Sequence, residues 1–226
     1  MELTYFGHSC FLVKFGDTSV LFDPFITHNP LAKDVDMSSI KADYIFVSHG
    51  HDDHIADLLP LAKQTQATIV ANFEIIQWVT KQGYDKVHPM NFGTRVFDFG
   101  TVHFVPAAHS SAFSDGSYAG NPGGFIFKTD QGNFYYTGDT SLTAEFMMVP
   151  HYGRLDVAIM PIGGNFTMNT EEALIAAEII KCDNVVGVHY DTFGYIVIDK
   201  EQAKDLFRKA GKSLQLPEIG ATISLK

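Results

Sequence analysis

The residues best suited to chemistry form one dense cluster, the segment Ser-His-Gly-His-Asp-Asp-His at 48–54. Neutral imidazoles and carboxylates are the natural ligands of a borderline divalent metal. Residues i and i+2 of an extended loop point the same way, so His49 and His51 can reach one ion together. We expect Asp53 and His54 to point toward a second position as the chain turns into a helix. The segment therefore predicts a metal site.

The elements around this cluster must hold it in place. The continuous apolar run at 44–47 predicts a strand buried on both faces, which ends where the cluster begins. Apolar spacing predicts helices over 55–62 and 73–79, with a short strand at 68–71 between them. This βαβα order predicts an α/β sheet. A solvated loop rich in His and Asp is the alternative, but the density of the cluster and its place after a buried strand argue against it.

The remaining chain shows the same order of elements, hairpins first and βα units afterwards. Asn169 and Glu172 have the spacing of a capping box at a helix start, and Gly211 marks the end of the last helix. The loop at 27–39 is rich in Asn, Pro, Asp and Ser and predicts a functional or mobile segment. Further strands are predicted at 3–6, 9–15, 19–22, 95–99, 102–106, 124–129, 133–137, 157–160, 185–188 and 221–225, and further helices at 170–181 and 200–210.

Length and charge limit the classes of function. The 226 residues fit one domain, 1–226, or two closely packed halves. The net charge of −10 argues against a nucleic-acid partner, although bound cations could still attract a small anion. Two cysteines form no disulfide framework. No basic and apolar leader and no apolar run of about 18 residues is visible, so we expect a cytoplasmic protein without a membrane partner.

The HxHxDH spacing at 49–54 resembles that of the metallo-β-lactamase superfamily. In that family a later His, an Asp and a final His complete the site, each at the end of a strand. His109, Asp139 and His189 stand in this order here, each after a predicted strand. The resemblance therefore covers nearly the whole chain.

The resemblance implies a fold, a ligand set and a cofactor. The fold is an αββα sandwich, an α/β (α+β) architecture of two sheets face to face with helices outside. The cofactor is a pair of divalent metal ions, with zinc as the first expectation and manganese, iron or nickel as alternatives. Asp23 matches a position that orients the metal loop. The implied ligands are His49, His51 and His109 for the first ion, Asp53, His54 and His189 for the second, and Asp139 between the two.

Finer features resemble one branch of the superfamily, which includes ascorbate-phosphate lactonases and the uncharacterised UPF0173 metal-dependent hydrolases. The similarity is greater to the UPF0173 group. Two residues depart from its pattern, since Gly164 stands where that group usually has Asp and Asp52 where Gly is common. The shared segments are GHSCF at 7–11, HPMN at 88–91, PIG at 161–163, NFTM at 165–168, HY at 189–190 and TF at 192–193.

The expected function is hydrolysis of an ester, lactone or phosphoester-type bond in a small molecule by a hydroxide that bridges two metal ions. Thioester and amide bonds stay open. Asp53 is a candidate proton relay. His8 is a candidate catalytic residue, as a substrate contact or proton carrier, with a hydrogen-bonded buried histidine as the alternative. A non-catalytic metal-binding or sensing protein is the second hypothesis, and a homo-oligomer is possible. His28, His88, His103 and His151 match no ligand position and are predicted to be structural or at the surface.

Overall fold

Residues 1–225, the part of the chain that the computed structural model describes, form two seven-stranded sheets with five α-helices. The first sheet contains β1 (Glu2–Gly7), β2 (Cys10–Phe15), β3 (Thr18–Phe22), β4 (Tyr44–Phe46), β5 (Thr68–Ala71), β6 (Val87–Pro89) and β14 (Thr222–Ser224). The second contains β7 (Gly93–Phe97), β8 (Gly100–Pro106), β9 (Gly123–Thr129), β10 (Gly132–Tyr136), β11 (Val157–Pro161), β12 (Asn184–Val188) and β13 (Ser213–Gln215). The helices are α1 (Asp52–Ile55), α2 (Leu58–Thr65), α3 (Phe73–Lys81), α4 (Thr170–Ile179) and α5 (Lys200–Lys209), with 3₁₀ turns at Met37–Ser39, Ala144–Tyr152 and Gly194–Ile196.

The two sheets have the same internal organisation. The first has the order β14-β1-β2-β3-β4-β5-β6, and the second has the order β13-β12-β11-β10-β9-β8-β7. In each sheet antiparallel hairpin strands come first, and parallel strands joined by crossovers follow. The chain therefore repeats one pattern of hairpins and βα units in its two halves.

Aromatic side chains join the inner faces of the sheets. Phe22 and Phe46 of the first sheet meet Phe127 of the second, with ring centroids 5.6 and 4.9 Å apart. Tyr136 lies 5.5 Å from Phe22 in the same layer. Such edge-to-face pairs add about 0.5–1.5 kcal/mol each to the burial of the rings. Two further apolar layers pack α1–α3 on the outside of the first sheet and α4 and α5 on the outside of the second, which confirms the αββα sandwich.

The helix predicted over 55–62 is wrong in one respect, because it is divided into α1 and α2 at Asp57. The Asp57 amide donates to the Pro24 carbonyl, 3.0 Å away, and not to the preceding turn of the helix. Its buried carboxylate accepts from the amides of Ile26 and Thr27 at 2.6 and 2.9 Å. Asp57 thus ties the loop that follows β3 to the helical segment, and the continuous helical ladder is lost.

Other boundaries differ from the sequence-based expectation at short or glycine-containing elements. The turn between β7 and β8 lies at 98–99 and not at 100–101, because Gly100 is paired in the sheet. A Cβ on Gly100 would lie 2.3 Å from the Lys128 carbonyl oxygen, so the strands approach closely there. The three-residue strands β6 and β13 were not predicted, since they are too short to show a period. In the described part of the chain, every helix is too short or too polar to cross a membrane.

Candidate metal centre

The predicted ligands come together because they follow strands that end at one edge of the sandwich. The segment that begins at Ser48 follows β4, His109 follows β8, and Asp139 and His189 follow β10 and β12. His54, Asp139 and His189 are buried, whereas the side chain of Asp53 is 25% exposed. The site therefore has a buried floor and, at Asp53, a side that is open to solvent.

One group of ligand atoms belongs to His49, His51 and His109, which lie within 4.8 Å of one another. His49 Nε2 and His51 Nδ1 are 2.9 Å apart. The other nitrogen of His49, Nδ1, pairs with the Ser48 hydroxyl at 2.9 Å. Two nitrogens that bind one zinc ion tetrahedrally at about 2.0–2.1 Å lie about 3.3 Å apart. The spacing of these two rings is close to that value, so the group fits one cation.

A second group surrounds the carboxylate of Asp139. Asp139 Oδ2 lies 3.0 Å from His189 Nε2 and 3.3 Å from His54 Nε2. Asp53 Oδ2 lies 3.8 and 3.9 Å from the same two nitrogens. Asp139 Oδ2 also lies 3.7 Å from His109 Nε2, a member of the first group. Asp139 therefore stands between the two groups, as a bridging carboxylate would.

Polar atoms without hydrogen bonds mark the same place. His54 Nε2 and Asp139 Oδ1 are buried, and neither has a hydrogen-bond partner among residues 1–225. Buried polar atoms in proteins are nearly always satisfied, by protein, water or an ion. Imidazole nitrogens and carboxylate oxygens are the donor set of Zn²⁺, Mn²⁺, Fe²⁺ and Ni²⁺ sites. The residues present thus fit the metal ions that the sequence predicts.

Asp23 organises the floor of the site. Its buried carboxylate accepts from the Ser48 amide at 2.8 Å and the Ser48 hydroxyl at 2.5 Å. The same carboxylate accepts from His54 Nδ1 at 2.8 Å and the Tyr136 hydroxyl at 2.6 Å. The bond to Nδ1 fixes the tautomer of His54 and leaves Nε2 free for a metal. Asp23 also lies within reach of His49 and His54 as a possible ligand, but these four donors favour the orienting role that the sequence indicates.

The charges of the site are strongly coupled. Burial raises the pKa of Asp139, but His189 and His54 beside it hold that pKa well below its usual range. Burial lowers the pKa of His54, but the carboxylates of Asp139, Asp53 and Asp23 raise it well above its ordinary value. Burial, followed by the charge of His54, lowers the pKa of His49. The three carboxylates thus favour positive charge at His54, and a bound cation would supply that charge instead.

His8 lies against this group and is fully enclosed. Its ring is 4.1 Å from that of His189, and Phe25 and Phe193 pack on it edge-on at 5.5 and 5.4 Å. Nε2 lies 3.0 Å from Asp53 Oδ2, and Nδ1 lies 3.0 Å from the Thr192 hydroxyl. Burial, followed by the charge of His189, lowers the pKa of His8 to about 4. His8 is thus buried and hydrogen-bonded through both ring nitrogens, and its catalytic role stays a prediction.

The histidines predicted to be structural lie outside both groups. His103 Nδ1 pairs with the Thr94 hydroxyl at 2.7 Å, and the ring of His88 packs on Phe97 at 5.3 Å. Within residues 1–225, His28, His88, His103 and His151 belong to none of the clusters that could hold a metal.

Sequence reasoning missed several side chains that support the ligands. Ser48 directly precedes the metal loop, and this position was its only local signal. Tyr136 had none, because it lies 113 residues from Asp23, its partner. Thr192 lies 184 residues from His8, and its one signal was its place in the TF segment shared with the UPF0173 group. Gly164, where the UPF0173 group usually has Asp, adopts a φ of +73°, a region that favours glycine.

Comparisons with known proteins agree with this fold and identify the family of the chain. The family model described as a beta-lactamase superfamily domain matches residues 2–189. UPF0173 metal-dependent hydrolases of Christiangramia forsetii and Methylacidiphilum infernorum are 49% and 50% identical to this chain, over the full length of both proteins in each pair. Igni18, a metallo hydrolase from the archaeon Ignicoccus hospitalis, is 34% identical with a TM-score of 0.89, over 98% of this chain and 97% of Igni18. The chain therefore belongs to the β-lactamase superfamily, as one of its UPF0173 metal-dependent hydrolases.

Proposed function

We propose that this hydrolase holds two divalent cations, zinc first among them, and cleaves an ester, lactone or phosphoester-type bond in a small molecule. The observation that carries the proposal is the position of Asp139 Oδ2, 3.0 Å from His189 Nε2 and 3.7 Å from His109 Nε2. One carboxylate thereby faces two groups of imidazoles. This arrangement suits two ions, because it offers more ligands than one tetrahedral ion binds.

The chemistry of the pair follows from general properties of metal ions. Held by these histidines and aspartates, two divalent cations would activate a water molecule for attack at neutral pH and would polarise the bond to be cleaved. No serine or cysteine nucleophile is required. Cys10, although near the site, is buried, and burial raises the pKa of its thiol above the usual range, so it stays protonated.

The chain's own residues would then orient the substrate and move a proton. Asp53 is the acidic ligand with an open side, since 25% of its side chain is exposed and only 3% of that of Asp139 is. His54 and His8 hold the pKa of Asp53 far below its usual range although burial opposes this. Asp53 is therefore ionised before the reaction, and its exposed side is the place from which a proton would pass to the leaving group.

Charge indicates which substrates can approach. The protein as a whole is negative, with a formal charge of −10, and repels anions at a distance. Two bound cations dominate the field at the site and would attract a carboxylate or phosphate group there. A small anionic or polarised substrate fits these conditions better than a nucleic acid.

The test is metal content together with turnover, in wild type and in matched variants. Asp53→Ala removes a proposed ligand, and Asp52→Ala, at the exposed neighbouring position, is its control. His51→Ala removes a ligand of the other group. We expect about two transition-metal ions per wild-type chain by plasma mass spectrometry. We also expect the wild type to hydrolyse bis-nitrophenyl phosphate, nitrophenyl esters or lactones. Asp53→Ala and His51→Ala should lose both metal and turnover, and Asp52→Ala should keep both. Turnover at the wild-type rate in both ligand variants would refute the assignment, and metal binding without any turnover would favour the sensing protein.

A further inference from the structure

We propose that Thr192 and His8 form a positioning pair that holds Asp53 in place to bind the second cation. The inference rests on the proposed dinuclear function and adds two residues that bind no metal themselves. It begins from the hydrogen bonds of His8, whose two ring nitrogens both have partners at 3.0 Å.

The partners of His8 determine which nitrogen carries its proton. A neutral imidazole has one N–H donor and one acceptor nitrogen. Asp53 Oδ2 is an acceptor, so Nε2 must donate to it. Nδ1 is then the acceptor, and the Thr192 hydroxyl donates to it. The hydroxyl also lies 3.3 Å from the Tyr190 carbonyl oxygen, but the His8 nitrogen is closer at 3.0 Å. The Asp53 carboxylate therefore selects the tautomer with the proton on Nε2, and the Thr192 hydroxyl supports that tautomer by donating to Nδ1.

The backbone holds His8 rigidly in this orientation. His8 has a φ of +55°, a left-handed conformation that is uncommon for residues with a side chain. Its carbonyl oxygen accepts from the Tyr5 hydroxyl at 3.0 Å and from the amide of His189 at 2.9 Å. The same residue thus contacts His189 through its main chain and Asp53 through its ring. His8 couples two ligands of the second cation that are 136 positions apart in the sequence.

Asp53 needs such a partner because its other charged neighbours, His189 Nε2 and His54 Nε2, lie beyond hydrogen-bond distance at 3.8 and 3.9 Å. Among residues 1–225, His8 is the donor that forms a hydrogen bond with the Asp53 carboxylate. The side chain is 25% exposed, so without that bond it is free to rotate toward solvent. A carboxylate oxygen has two lone pairs and can accept from His8 while it binds a cation. The bond therefore preserves the ligand geometry in which Oδ2 lies 3.8 Å from His189 Nε2.

Two pairs of variants separate positioning from packing. His8→Asn tolerates the left-handed backbone but places its amide near the position of Nδ1, so it cannot reach Asp53. His8→Gln extends an amide N–H to the position of Nε2 and restores the donor. Thr192→Val removes the hydroxyl and keeps the shape, and Thr192→Ser keeps the hydroxyl. Each protein is stripped of metal, and Zn²⁺ is titrated in competition with a chromogenic chelator, which yields two dissociation constants. His51→Ala, which lacks a ligand of the first cation, assigns the constants to the two groups.

We expect His8→Asn and Thr192→Val to raise the dissociation constant of the second cation by about 10- to 100-fold, the range for lost partners of metal ligands. The constant of the first cation should not change, and His8→Gln and Thr192→Ser should stay near wild type. Metal-free variants should unfold within a few degrees of metal-free wild type. Unchanged second-site affinity in His8→Asn, or an equal weakening of both sites, overturns the positioning role while the proposed function stands. A wild type that binds fewer than two ions overturns both.

Discussion

Tyr136→Phe tests the support of the metal loop by removal of a single oxygen atom. The Tyr136 hydroxyl donates to Asp23 Oδ2 at 2.6 Å, and both residues are fully buried. Asp23 in turn holds His54 and Ser48. The variant keeps the ring in the aromatic layer between the sheets, where it packs on Phe22, so its effect reports the hydrogen bond.

The magnitude follows from what Asp23 retains. A hydrogen bond to a charged group contributes about 1.5–3 kcal/mol to stability. Oδ2 still accepts from Ser48 and His54 in the variant, so no unpaired charge remains, and we expect about 2 kcal/mol of destabilisation. For a chain of this length, that corresponds to a fall in Tm of about 4–8 °C. The lost bond helps to hold Asp23, and Asp23 in turn orients His54, so zinc should also bind about 10-fold more weakly.

The assay is urea unfolding of metal-free protein, so that stability is separated from metal affinity. Tyr135→Phe is the matched control, since Tyr135 is the neighbouring residue of β10 and faces the other side of the sheet. Among residues 1–225 its hydroxyl makes no hydrogen bond, so we expect the control to change stability by less than about 1 kcal/mol. If Tyr136→Phe lowers the free energy of unfolding no more than Tyr135→Phe does, the hydrogen bond from Tyr136 to Asp23 does not support the metal loop.

Two further predictions concern the second cation and the metals together. A Cβ on Gly163 would lie 2.2 Å from the His189 carbonyl oxygen, so Gly163→Ala should displace His189. We expect the free energy of unfolding in urea to fall by about 1–3 kcal/mol and metal binding to weaken. Gly194→Ala, which meets nothing within 4 Å, is its control and should change stability by less than about 0.5 kcal/mol. Zinc present at 1,000 times its dissociation constant should stabilise the fold by about 4 kcal/mol per ion, measured as the loss of thermal stability after chelation. A Tm that is unaffected by chelator, in protein shown to contain metal beforehand, would contradict this.

The residue patterns alone predicted an α/β sheet and the metal loop at 49–54, and the resemblance to the superfamily added the αββα sandwich and the later ligands. Apolar runs such as 44–47 are buried because both faces of a parallel strand are covered, and this leaves a readable signal. The capping box of Asn169 and Glu172 was correct because caps depend on residues three apart. The metal loop at 49–54 was visible for the same reason, since its ligands are neighbours in the chain. Features of this kind can be predicted from the sequence because the residues that form them are close together in the chain.

Only the tertiary structure decided what supports those ligands. Tyr136 meets Asp23, and Thr192 meets His8, through loops and strand faces that come together when the two sheets pack. The break in the first helix arises likewise, because Asp57 bonds to the loop after β3. Each of these contacts consists of one or a few directional hydrogen bonds between separate segments. It leaves no period and no spacing in the sequence, because its geometry exists only after the hydrophobic layers have fixed the backbones that carry it.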